Sequence, residues 1–321
     1  MTARLLGLAI AVCCLGLPVD VLAAERRESL QVESKFDGKT TKIEAVLLLP
    51  EIAAGKKAPV MIIMHGSSGA RQQREYAYAK EFLSLGAAAV VIDSFKPRGI
   101  KETVRDQDQI SSTAMLADAM ATLRAVANRP EIDASRIGLI GYSKGGTVAA
   151  KLALKRYAQR SGYDGRDFAL LIAMYPWCGD LPLDFTPAGG PLVMMLGAAD
   201  TYTGLDSCKE FAARFEKAGG KAQVEILKDA QHGWDVPGSR GWKVADGQNA
   251  SKCIYDEISA GTWVERKSRI VVARAGKPTP ELKDAKKQCV TLGVSGGYNS
   301  EARAQSMALV KQAIRQSLRT N

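Results

Sequence analysis

"LIGYSKGGTVAAKLAL", residues 139–154, passes within a few positions from apolar strand residues, through glycines around one serine, into a helix-forming run. It holds the pattern G-x-S-x-G centred on Ser143. The pattern is cheap in a glycine-rich chain, and "GVSGG" at 293–297 repeats it around Ser295. The flanks separate the two. Strand, tight turn and helix around Ser143 are the context of a nucleophile elbow, whose glycines let backbone pass close by and leave Oγ exposed at the carboxyl end of a sheet. The helix that starts at Lys144 adds N-terminal amides that can face negative charge developing on a substrate oxygen.

Outward from this point the chain alternates. "SLQVESKF" and "TKIEAVLLLP" read as an antiparallel hairpin turning at Asp37-Gly38. The runs "PVMIIMHG", "AAAVVIDS", "RIGLIGYS", "FALLIAMYP", "PLVMMLGAAD" and "AQVEILKD" read as buried strands. Helices come between or after them: "QQREYAYAKEFLSLG", "SSTAMLADAMATLRAVANRP", the run after Ser143, "LDSCKEFAARFEKAGG" and the closing "YNSEARAQSMALVKQAIRQSL". Apolar strands buried on both faces and alternating with helices predict an α/β fold: a mostly parallel sheet in a three-layer sandwich. Residues 237–296 break the alternation and read as an insertion, with a small hairpin or meander turning at Ala260-Gly261. The insertion is expected to be surface decoration or a cover over the site.

The N-terminal "MTARLLGLAIAVCCLGLPVDVLAAER" has one early arginine, an apolar run from Leu5 to Leu17, and small residues at Ala23 and Ala24. That is the layout of a secretory signal peptide over residues 1–24, followed by a single domain over 25–321. The apolar run falls short of the roughly 20 residues that a spanning helix needs, so an exported protein without a permanent membrane anchor is expected. Cys13 and Cys14 leave with the signal. Cys178, Cys208, Cys253 and Cys289 remain, and in an oxidising compartment they point to two disulfides with three possible pairings. Cys178 lies past one strand and Cys208 past the next, while Cys253 and Cys289 lie near the two ends of the insertion, which favours Cys178–Cys208 and Cys253–Cys289. Without close C-x-x-C pairs or a neighbouring histidine, a zinc site is not expected. The net charge of +10 is scattered in short runs such as "DAKKQ", without an aromatic-studded basic stripe, so no nucleic-acid partner is expected.

A serine hydroxyl is a weak nucleophile until a base takes its proton, and the base needs an orienting acid. The chain has two histidines. His232, in "DAQHGWD", follows the last strand and lies downstream of Ser143, with Asp200 at the end of "MLGAAD" between them. Ser143, Asp200, His232 is therefore the expected triad, and Ser295 fails because no histidine follows it. His65, in "MHGSSG", is expected to be structural. The glycines around it turn backbone amides toward the nucleophile, so the N–H groups of Ser67 and Lys144 are the expected oxyanion donors, with Ser68 an open alternative to Ser67. Arg98, in "DSFKPRG", is a candidate for a substrate carboxylate or for a structural ion pair. Trp177 and Trp234 are candidates for an apolar pocket wall or for core.

The stretches "HGSSG", "VIDSFKPRG", "DASRIGLIGYSKGG", "LGAAD", "DAQHGW" and "YNSEARAQSMALVKQ" resemble the dienelactone hydrolase family of α/β-hydrolases. The resemblance covers about residues 28–236 and 297–319. It implies the α/β-hydrolase fold, a small-molecule ester or lactone substrate, a covalent acyl-enzyme and no cofactor or metal. Three departures stand out. The enzyme that names the family is similar in layout but has cysteine as nucleophile where this chain has Ser143; the family is largely cytosolic; and it passes quickly from the histidine to the final helix. The alternatives are a peptidase on the same fold and a non-catalytic binding protein.

Overall fold

The computed structural model describes residues 26–320. The signal peptide read over residues 1–24, with Cys13 and Cys14, lies outside the described residues. Arg26–Phe36 (β1) and Lys39–Leu49 (β2) form the expected antiparallel hairpin, and Asp37 and Gly38 turn it with φ of 49° and 72°. Positive φ at both turn residues matches the right-handed twist of the flanking strands. There follow Ala58–Met64 (β3), Ala88–Asp93 (β4), Ile132–Tyr142 (β5), Leu170–Met174 (β6), the two-residue Asp180–Leu181 (β7), Leu192–Gly197 (β8) and Ala222–Leu227 (β9). The main sheet has the order β1-β2-β4-β3-β5-β6-β8-β9, parallel from β4 to β9, with β7 in a second sheet.

Helices cover both faces. β3 shows how: Val60, Ile62 and Met64 join the core beneath Ser112–Ala127 (α2, after the short Ala77–Leu83, α1), Lys144–Leu152 (α3) and, past Lys155–Arg160 (α4), Asp206–Lys217 (α5). Met61 and Ile63 face the opposite core, shared with α1 and, after Leu282–Cys289 (α6), the closing helix Ser300–Leu318 (α7). Side chains alternate along a strand, so one buried on both sides reads as a continuous apolar run. The run from Gln72 departs from the single helix expected. It opens with a π turn at Gln72–Tyr76, where the buried Glu75 carboxylate accepts the Arg71 N–H at 2.8 Å and the Tyr76 N–H reaches Arg71 O at 3.3 Å.

The insertion folds onto this scaffold. Trp242–Asn249 (β10) pairs with a distant strand, Thr291–Gly296 (β15, numbered after the four between). Tyr255–Ser259 (β11), Thr262–Glu265 (β12), Val271–Arg274 (β13) and Lys277–Pro278 (β14) form a meander that turns at Ala260-Gly261 and adds parallel to β7. Ser295 sits in the β10–β15 ladder opposite Lys243, with no elbow around it. Disulfides join Cys178 to Cys208 and Cys253 to Cys289. No helix among the described residues is long and apolar enough to cross a membrane.

Cys178 and Cys208 are both buried and 30 residues apart in sequence. Closing a loop of that length removes unfolded-chain entropy worth about 3 to 4 kcal/mol. The Cys178→Ser/Cys208→Ser variant is expected to lose about that much stability, read from the urea midpoint in non-reducing buffer; an unchanged midpoint would contradict the ledger for this bridge.

Candidate active site

The site gathers at the carboxyl ends of the parallel strands. β5 runs into Ser143, whose φ of 54° and ψ of −115° turn the chain sharply into α3. Two close approaches demand glycine here. A Cβ on Gly141 would lie 1.9 Å from Gly145 O, and one on Gly66 would meet Tyr142 O at 2.9 Å and Ser143 Cβ at 3.1 Å. The turn is tied down on both sides: Ser143 N donates to Met174 O on β6, and Ser143 O accepts from Thr147 N in α3, each at 2.9 Å.

His232 follows β9 and Asp200 follows β8. His232 Nε2 lies 2.9 Å from Ser143 Oγ, and its Nδ1 lies 2.8 Å from Asp200 Oδ2. Asp200 also accepts from Tyr202 N at 2.8 Å and Thr203 Oγ1 at 3.0 Å. Burial alone would favour a neutral carboxyl, but the charge and hydrogen bond of His232, with these two donors, outweigh it and hold Asp200 below the usual carboxylate range. An ionised Asp200 keeps the proton on Nδ1 and leaves the Nε2 lone pair toward the serine hydroxyl. The imidazole is boxed by the rings of Tyr175 at 4.8 Å and Tyr202 at 4.6 Å.

His65 has a different task. Its Nε2 accepts the Ser94 N–H at 3.1 Å, which leaves Nδ1 to carry the proton and donate to Gly66 O at 2.8 Å. Complete burial lowers its pKa, so the ring is neutral. Gly66 O and the Ser67 N–H share one trans peptide plane and point opposite ways, so fixing the first aims the second. Neither Ser67 N nor Lys144 N has an acceptor among the described residues. Between Ser67 and Ser68, it is Ser67 that lines the cleft.

That cleft encloses about 600 Å³. The main fold contributes Ser67, Gln107, Ser143, Lys144, Thr147, Trp177 and Tyr202; the insertion contributes Gln248, Ala250, Tyr255, Lys286 and Val290. Trp177 is thus a wall residue, its indole N–H donating to Ala250 O of the insertion at 2.9 Å. Two candidates are corrected. Trp234 is fully buried, edge-on to Tyr175 at 4.7 Å, with its indole N–H on Ser306 Oγ, so it is core. Arg98 makes paired bonds to the buried Asp118 at 2.8 and 2.9 Å and a third to Ser94 O, so its donors face the scaffold. Gln107 and the Lys144 side chain escaped sequence reading, because neither stands in a motif that names a side-chain role. Among the described residues no group of three or more His, Cys, Asp or Glu could hold a metal ion.

Removing Arg98 leaves Asp118 buried and unpaired, a loss of about 3 kcal/mol or more. Arg98→Met is therefore expected to lower the urea midpoint while leaving KM unchanged for any substrate that carries a free carboxylate; a large KM effect with unchanged stability would restore the substrate role. Lys144 gives a second expectation. Burial pushes its ammonium down to about 8, well below an unfolded lysine. Above pH 8 the folded form sheds a proton that the unfolded chain keeps, so stability relative to Lys144→Met rises from pH 8 toward 10. Parallel unfolding curves at pH 7 and pH 10 read the difference, and a parent that loses stability relative to the variant between those two pH values would refute the burial argument.

A sequence profile of the dienelactone hydrolase family matches residues 43–259, more than half of the chain. Among solved structures, the chain is similar to a dienelactone hydrolase-like promiscuous phosphotriesterase from metagenomic libraries, at 17% identity and a TM-score of 0.55 over 92% of this chain and 99% of the other. It is also similar to a thermophilic esterase from the planctomycete Thermogutta terrifontis, at 16% identity and a TM-score of 0.51 over 67% of this chain and 85% of the other. At these identities the structural likeness is one of fold.

Proposed function

The chain belongs to the dienelactone hydrolase family, and from that premise we propose that it is a serine hydrolase cleaving carboxylic ester or lactone bonds through an acyl-enzyme. The observation that carries the reading is the hydrogen-bonded line from Ser143 Oγ through His232 to Asp200, at 2.9 and 2.8 Å, on a strained elbow that opens into a cleft.

The chemistry follows from these positions. His232 Nε2 takes the hydroxyl proton as Ser143 Oγ attacks the carbonyl carbon, and ionised Asp200 stabilises the imidazolium that forms. Negative charge moves onto the carbonyl oxygen, where the N–H groups of Ser67 and Lys144 receive it; that of Lys144 is the first amide of α3 and adds the helix's partial positive charge. As the tetrahedral centre collapses, His232 returns the proton to the leaving alkoxide. Water then repeats the cycle against the acyl-serine and releases the acid. For a lactone the leaving oxygen stays on the acyl chain as a hydroxyl, and the second step frees the whole as one hydroxy acid. The apolar surface of Trp177, Ala250, Tyr255 and Val290 is offered to the organic part of the substrate. Two disulfides fit an exported enzyme, and export is part of the proposal.

A fluorophosphonate probe is expected to label one residue, Ser143, in the peptide containing "GYSKGG". Ser143→Ala should fold and lose about 10⁴-fold or more in kcat, as should His232→Ala to a similar order. Labelling elsewhere, or a folded His232→Ala enzyme with near-parental turnover, would sink the assignment.

A further inference from the structure

Gln107 occupies a short turn between β4 and α2, and four parts of the molecule meet at it. Its side-chain Nε2 donates to Tyr202 OH at 3.1 Å, two residues past Asp200. Its amide lies 3.2 Å from Ser67 Oγ, on the loop after β3. Lys144 Nζ, beside the nucleophile, donates to Gln107 O at 2.8 Å and Oε1 at 3.1 Å, which sets the amide's orientation because an ammonium has no acceptor to offer. The fourth contact comes from the insertion: the Gln107 N–H donates to Gln248 Oε1 at 2.9 Å, while Gln248 N donates to Val104 O at 2.9 Å. One residue of β10 thus grips the 104–107 loop twice.

The same loop grips Ser67 twice. Thr103 N donates to Ser67 O at 2.8 Å, and Gln107 meets the Ser67 hydroxyl. With Gly66 O held by His65, both peptide planes flanking Ser67 have one fixed end; among the described residues neither the Ser67 N–H nor the Ser68 N–H at their other ends has an acceptor, and it is Ser67 that lines the cleft. A donor acts on a developing oxyanion only if it is already aimed when charge appears, since any reorientation costs part of the stabilisation. We propose that Gln107 is a positioning residue for the Ser67 amide, and that Gln248 makes the insertion a working part of the oxyanion hole through the line Gln248–Gln107–Ser67. Neither residue touches the reacting atoms; both act through Ser67. The inference rests on the hydrolase reading and deepens it: a segment outside the alternation of strands and helices supports the same catalytic subsite as the loop after β3.

Position and packing make different signatures. A residue that only stabilises the fold lowers the melting temperature and leaves the turnover of the surviving folded enzyme intact. A residue that aims an oxyanion donor lowers kcat and spares KM, because the donor gains strength in the transition state. Losing one such donor outright costs about 10²–10³-fold, so misaiming it should cost less. For the full-length, disulfide-intact protein acting on a small neutral aryl ester, Gln107→Leu is expected to lower kcat about 10- to 100-fold with KM within about threefold. Gln248→Ala, on the far side of the loop, is expected to lower kcat about 5- to 20-fold with the same split, as a partial form of the same loss. In the double variant the effects should fail to multiply, since both act on one amide. Labelling by a small fluorophosphonate should slow in parallel and still fall on Ser143.

Should Gln107→Leu fail to fold, Gln248→Ala alone decides, because that substitution removes a side chain from the rim. A folded Gln248→Ala or Gln107→Leu enzyme with kcat within twofold of the parent overturns the proposal, and so do two effects that multiply fully. Absence of labelling in the parent protein takes down the hydrolase reading itself and this proposal with it, whereas normal parental labelling with unaffected variants takes down only the positioning line.

Discussion

Everything at this site depends on a serine held where side chains rarely go. The backbone of Ser143, at φ 54° and ψ −115°, costs on the order of 1–3 kcal/mol. The surroundings over-determine it. Its amide is bound to β6, its carbonyl to α3, and the glycines on either side allow backbone contacts closer than any Cβ would permit. The strain is a consequence of presenting Oγ above the sheet edge with a helix N-terminus behind it. Relaxing the turn would lower the local energy and remove the alignment with His232 at the same time.

A second strained residue supports His232. Tyr175, at the end of β6, has a φ of 39°, and its ring meets both His232 and Trp234 edge-on. Its hydroxyl donates to Asp235 at 2.8 Å, a fully buried carboxyl that burial pushes toward its neutral form and that the nearby Arg74 draws back. Arg74 is in turn paired with the buried Glu75. This polar cluster is buried, none of its members lines the cleft, and it fixes the ring that His232 packs against. Ser143 and His232 are thus each braced by a backbone conformation that the packing around them enforces.

The elements that could be read from the sequence are those whose physics is local. The hairpin announced itself by Asp37-Gly38, the elbow by glycines between a strand and a helix, and the order Ser143, Asp200, His232 by the positions of strand ends. The Cys178–Cys208 pairing followed from strand ends that share an edge, and Cys253–Cys289 from the two ends of the insertion. What stayed hidden was non-local. β10 carries the polar run "WKVADGQN" with a register shift between Val244 and Gln248, so no apolar alternation marks it as a strand, and its partner β15 lies beyond the whole meander. Gln107 has no motif because its importance comes from four neighbours far apart in the chain. Trp234 and Arg98 each had two readings in the sequence; burial decided the first and the location of Asp118 the second.

The insertion is better described as a wall than as a lid. A lid needs few bonds to the body it closes over, so that opening is cheap. Here Tyr255 N bonds to Gly179 O at 2.7 Å, the Trp177 indole bonds to Ala250 O, and Arg156 pairs with Glu257. Burial opposes charge on Glu257, yet the Arg156 bond and the amides of Gly261 and Leu183 hold its carboxyl down to about 2. It therefore stays ionised and paired across the whole physiological range, and a buried pair of this kind resists separation because opening would strand a charge. Cys253–Cys289 then links the strand side of the wall to the end of α6, so that Tyr255 and Val290 stay on one framework. The cleft is thus walled by side chains on one fixed framework, and Gln248, Ala250, Tyr255, Lys286 and Val290 are among those that the insertion adds to it.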